Sequence, residues 1–204
     1  TGLRVEPIND PCLTFETQGL TLGGVVFQPN RLNFCPRRGV FMKPGAGDAA
    51  GTASLGNVSW PFQSKSVTGV LNLSDAAVDW SVSKQFSLSL SSPDIGLPMD
   101  IGDRTLSVDG AGPRVRLVTA KGKTPALSAT LGSTVFGGTL IPAKVTAGEI
   151  RFDGEIGSGG LSGDLAGSSV LIRDFRDDPV YQPLLADLTA EMHEWQLALS
   201  GPLR

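Results

Sequence analysis

Phe86-Ser87-Leu88-Ser89-Leu90-Ser91 sets three apolar side chains against three serines in unbroken alternation. Consecutive side chains of a β-strand point to opposite faces, so this hexapeptide is dry on one side and wet on the other. An α-helix would scatter the same residues around its axis. The pattern recurs along the chain. Val78, Trp80 and Val82 alternate with Asp79, Ser81 and Ser83. Leu106 and Val108 alternate with Thr105, Ser107 and Asp109, and Ile150, Phe152 and Ile156 with Glu149, Arg151, Asp153 and Glu155. Such runs belong to antiparallel strands with one packed face and one solvated face. Turn signals stand at Asp109-Gly110, Lys121-Gly122-Lys123, Ala147-Gly148 and Gly157-Ser158-Gly159-Gly160.

Outside these runs the signals are shorter. Leu20-Thr21-Leu22, Val25-Val26-Phe27 and Arg31-Leu32-Asn33-Phe34-Cys35 are strand candidates, whereas residues 43–59, small and polar, read as a flexible loop or linker. Leu188, Ala190 and Met192 share one parity, while Trp195, Leu197 and Leu199 share the other, which predicts a tight hairpin turn at His193-Glu194. One helical turn has room between Tyr181 and Leu188. Glycines recur between apolar strand residues, as in Thr68-Gly69-Val70-Leu71 and Leu161-Ser162-Gly163-Asp164-Leu165, without a fixed period. Glycine inside a strand permits a sharp bend or a close approach.

Composition agrees with an all-β chain. The 204 residues include 26 glycines and 14 prolines, which helix interiors reject, so the composition argues against a helical bundle. With a net charge of −3 and scattered basic residues, the chain has no electrostatic footprint for nucleic acid. No apolar run approaches the roughly 20 residues of a helical membrane span. The chain starts at Thr1, with no secretory leader pattern, and the tail Leu197-Ala198-Leu199-Ser200-Gly201-Pro202-Leu203-Arg204 stops within a strand-like pattern. An excised piece of a longer protein is expected. Residues 1–63 form an N-terminal β segment, and residues 64–204 the main antiparallel region.

Reactive side chains are scarce. Cys12 and Cys35 are too far apart for a redox pair and have no partners for a metal set. Either they form a disulfide or they are two buried thiols. Their even number, with Pro11 and Pro36 beside them in turn-like settings, favours the disulfide and hence an oxidising compartment. His193 is the single imidazole, placed in a turn with no nucleophile elbow elsewhere, so catalysis is not expected of it. The stretch Arg173-Asp174-Phe175-Arg176-Asp177-Asp178-Pro179 interleaves both charges and reads as ion pairs on a turn or a docking loop. Neither a phosphate loop nor a calcium loop spacing is present, and no cofactor or metal is expected. Trp60-Pro61-Phe62 offers aromatics for a sugar-binding edge, while Trp80 and Trp195 have core parity.

What remains is the apolar face. In a closed β-sandwich a second sheet covers it; in a curved open sheet it lines a trough that acyl chains cover instead. Alternation alone leaves both open and leans to the closed form.

The Gly-x-apolar idiom, the tail Leu197–Arg204 and the stretch Arg176-Asp177-Asp178-Pro179-Val180-Tyr181-Gln182-Pro183-Leu184 resemble proteobacterial AsmA-like proteins of the YdbH group. The Cys12 to Cys35-Pro36 segment is similar to a cysteine-bounded insert in some of them. The resemblance implies a curved β-groove in the periplasm, anchored in the inner membrane by a helix this chain lacks. It also implies phospholipid transport toward the outer membrane, with neighbouring groove segments and envelope proteins as partners. The expectation is therefore a non-enzymatic groove that holds acyl chains on Leu71, Leu73, Trp80, Phe86, Leu88, Leu90, Leu106, Val108, Leu117, Ile150 and Phe152. A β-sandwich adhesion or carbohydrate-binding module is the alternative.

Overall fold

Successive hairpins lay the strands side by side. The computed structural model describes residues 12–22, 24–36, 43–44, 49–157, 160–174, 182–193 and 196–200. The strands are β1 (Leu13–Thr17), β2 (Leu20–Leu22), β3 (Val25–Phe27), β4 (Asn30–Pro36), β5 (Lys43–Pro44), β6 (Ala49–Gln63), β7 (Val67–Val82) and β8 (Gln85–Ser91). They continue with β9 (Asp94–Ile101), β10 (Arg104–Ala120), β11 (Ala126–Gly137), β12 (Lys144–Gly157), β13 (Gly160–Arg173), β14 (Leu184–His193) and β15 (Gln196–Ser200). All pairings are antiparallel, in the order β1-β4-β6-β7-β8-β10-β11-β12-β13-β14-β15. β8 and β9 share one lane between β7 and β10, broken at Ser92-Pro93. Among the described residues there is no helix, and no second sheet covers the first. The fold is all-β and open, not the closed sandwich.

Several strands are long: β7 has 16 residues and β10 has 17, against about 5–6 for an ordinary strand. Each is interrupted near its middle. Asp75, Ser133 and Ser169 take positive φ of 43°, 24° and 50°, and Gly56 and Gly112 take 65° and 58°. The register shifts at Ser54/Gly56, at Ala111/Arg114 and at Gly167/Val170. These irregularities stand beside one another from strand to strand, so a crease crosses the sheet from β6 to β14. Local bonds replace the ladder there. Asp75 N–H donates to Asn57 Oδ1 at 3.1 Å, and Ser169 N–H to Asp187 Oδ1 at 2.8 Å. Ser92 N–H donates to Pro113 O at 3.1 Å, and the Ser92 hydroxyl bonds both the Ser74 and Asp94 carbonyls.

An extra residue in a strand reverses the parity of everything after it. In β7 the apolar set runs Gly69, Leu71, Leu73 before Asp75 and Ala76, Val78, Trp80 after it. In β12 it runs Val145, Ala147 before Gly148 and Ile150, Phe152 after it. The crease therefore keeps both halves of each strand apolar on one side. Every buried hydrophobic residue except Ala77 lies on that side: Ala53, Val58, Leu73, Ala76, Val78, Ala147, Phe152, Val170 and Ala190. Leu90 and Ile95, on either side of the Ser92-Pro93 break, pack on the same Val58–Leu73–Ala76 cluster. Both halves of the broken lane therefore pack into one cluster on the apolar face.

The N-terminal ribbon is tied by the Cys12–Cys35 disulfide, with Cα atoms 4.1 Å apart. Leu13 pairs with Phe34, which sets the two cysteines side by side, and Leu32 packs against the main cluster. The predicted strands at 20–22, 25–27 and 31–35 are present.

Three sequence expectations are corrected. Residues 49–59 are not a linker but the first part of β6, whose alanines and glycines fit a crowded lane: Ala53 is fully buried opposite Val78. Asp109-Gly110 and Ala147-Gly148 are not turns; they sit inside β10 and β12, where they serve the crease. Residues 184–188 carry no helical turn but begin β14. His193 pairs with Gln196, and the turn expected at His193-Glu194 lies in part outside the described residues. Residues 45–48, Glu194, Trp195, the tail 201–204, most of the 173–179 charged stretch and Tyr181 lie outside the described residues.

Candidate functional site

The eleven residues expected to line a groove all project from the apolar face. Register shows how they are brought together. Leu88 faces Trp80 on one side and Leu117 on the other; Leu90 faces Val78 and Val115; Leu106 faces Met99. Ile150 faces Leu131, and Phe152 faces Ala129 and Leu165. Leu73 and Phe152 are buried, Phe86 is exposed, and Leu71, Trp80, Leu88, Leu90, Leu106, Val108, Leu117 and Ile150 are half-buried. Half-burial is what lateral neighbours alone provide when no second layer covers a face.

Two apolar rows cross the strands, one on each side of the crease. One runs Leu97–Val108–Phe136–Val145–Ile172–Leu184. The other runs Ala53–Val78–Leu90–Val115–Ala129–Phe152–Leu165–Ala190. At about 4.8 Å per strand the second row is about 34 Å long. Neither row contains a charged residue. The chain as a whole exposes 13189 Å², whereas a compact monomer of its mass would expose about 9100 Å².

Sequence reasoning missed much of the face. Val58, Trp60 and Phe62 belong to it but were hidden in or beside the presumed linker. Trp60 and Phe62 are not an exposed edge: both are half-buried, with Trp60 Nε1–H donating to Gln28 O at 2.7 Å and its ring 5.3 Å from Phe27. Val145, Val170 and Ile172 belong to the face as well. Their parity becomes legible only when the crease is placed.

The opposite face is wet. A row directly behind the second apolar row reads Thr52–Asp79–Ser89–Arg116–Ser128–Asp153–Asp164–Glu191. Arg151 bonds Asp153 at 2.5 Å, and that hydrogen bond, with the carboxylate charge, holds its guanidinium above the ordinary range. Concavities lie on this face, as expected of a twisted sheet. One concavity of ≈ 680 Å³ is lined in part by Asn57, Ser59, Asn72, Asp94 and Asp109, and one of ≈ 380 Å³ by Ser89, Ser91, Arg114, Arg116, Ser128 and Thr130 among others. Among the described residues no group of three His, Cys, Asp or Glu side chains is placed to hold a metal ion, and no helix is long and apolar enough to cross a membrane. The disulfide is compatible with an extracytoplasmic location.

No protein-family model, curated protein or solved structure matches the chain.

Proposed function

We propose that this chain is a lipid-binding β-groove domain of the bacterial periplasm. Phospholipid acyl chains lie on its apolar face, and neighbouring groove segments carry the path onward between the inner and outer membranes. The observation that supports this reading is the uncharged apolar face, which spans strands β6 to β14 with no protein layer over it. A soluble protein rarely leaves so large a dry face in water. Each methylene that an acyl chain removes from water there contributes about 0.8 kcal/mol. The work is one of surface cover, with no bond made or broken.

Native mass spectrometry of protein purified from a cell envelope tests the proposal. Phospholipid masses are expected on the native chain. Leu88→Glu sets a carboxylate between Trp80 and Leu117, and is expected to remove those masses while the β-sheet circular dichroism stays unchanged. A lipid-free native chain, or a folded Leu88→Glu variant that keeps its lipid, would overturn the reading.

A further inference from the structure

The polar face carries a feature that the acyl groove does not use. Arg114 and Arg116 stand two residues apart on β10, so both project from the same side, about 7 Å apart along the strand. Both side chains are exposed. Hydroxyls flank each of them on the neighbouring strands. Arg116 lies between Ser89 and Ser128, and Arg114 between Ser91 and Thr130. All six residues line the ≈ 380 Å³ concavity. Among the described residues the ion pairs are Arg31–Glu16 and Arg151–Asp153, so neither Arg114 nor Arg116 has a carboxylate partner. The nearest acids in the Arg116 row are Asp79, one strand beyond Ser89, and Asp153, one strand beyond Ser128 and already held by Arg151.

Two unpaired guanidiniums with hydroxyl donors on both flanks match one chemistry. Guanidinium forks bond planar or tetrahedral oxyanions in pairs, and serine and threonine hydroxyls fill the remaining acceptor sites. We infer that Arg114, Arg116, Ser89, Ser91, Ser128 and Thr130 form a binding site for a phosphate-bearing anion. Asp79 also lines the concavity, opposite Ser89, and its carboxylate repels any anion that extends past Ser89, which favours a compact group on the arginine pair. The site lies behind the sheet from the acyl face. A lipid seated in the groove cannot place its own headgroup there, so the site stands independently of the proposed lipid binding.

Inorganic pyrophosphate is the probe, followed by amide chemical shifts at low ionic strength. Shifts confined to 89–91, 114–116 and 128–130 are expected, fading as salt screens the charges. The double variant Arg114→Gln/Arg116→Gln should weaken binding at least roughly tenfold while leaving circular dichroism and co-purified lipid unchanged. A second arm separates two sources of phosphate. Sedimentation with phosphatidylglycerol but not phosphatidylcholine vesicles, lost in the double variant, identifies a membrane headgroup; pyrophosphate binding without vesicle binding identifies a soluble phosphate. The absence of both pyrophosphate shifts and arginine-dependent vesicle binding, or equal binding by the double variant, would sink the proposal.

Discussion

Asp75, Ser133 and Ser169 hold left-handed backbone that costs an ordinary residue about 1–2 kcal/mol. They keep it because the crease needs an extra residue there. Relief of that strain is measurable. Ser133→Gly should stabilise the chain by about 1 kcal/mol in urea unfolding, since its side chain is exposed and its φ suits glycine. A loss of stability would show that the backbone there is not strained. Asp187→Ala should act oppositely and cost about 1 kcal/mol by removing the acceptor of the Ser169 amide. One glycine pair is constrained by space. Gly154 faces Gly163 across β12 and β13, and a Cβ at Gly154 would strike the Ser162 carbonyl oxygen and the Phe152 ring at 2.5 Å. Gly154→Val should therefore lower stability by about 2 kcal/mol on the same urea curve.

At the scale of the strand, alternation was legible wherever a run lay wholly on one side of the crease. Residues 86–91, 78–82 and 105–109 are of this kind, and every apolar side chain picked from them shares one face. The crease itself was not legible. Its local chemistry, a small polar residue or glycine in mid-strand, is also the chemistry of a turn, so Asp109-Gly110 and Ala147-Gly148 read as chain reversals. Only cross-strand register separates the two cases. The lane of β6 was obscured differently. Contact with Val78 and the bend admits only small side chains, and Ala49-Ala50-Gly51-Thr52-Ala53-Ser54 consequently resembles a linker. The N-terminal ribbon depends on a covalent tie. The disulfide closes a separation of 23 residues and contributes about 3 kcal/mol in the chain-entropy model. In Cys12→Ser, hydrogen exchange should accelerate in β1 and β4 and stay slow in β10 to β13. Uniform acceleration would show that the ribbon governs the whole sheet.

For the whole molecule, the uncovered face has a calorimetric signature. Heat capacity of unfolding follows the apolar surface exposed, and a compact chain of 204 residues would show about 2.4–3.1 kcal/mol/K. The lipid-free chain should fall clearly below that range, because much of its apolar area is wet before unfolding. A full-sized value would mean that the face is covered in solution. The order of strands carries a different consequence. From β6 to β14 each lane pairs only with the lanes adjacent to it in the chain, so energy is summed over nearest neighbours, as in repeat proteins. Cooperativity is short-ranged in such an array. Hairpins can be added or deleted in evolution with the cost confined to one junction, and each added pair of lanes lengthens the apolar track by about 10 Å.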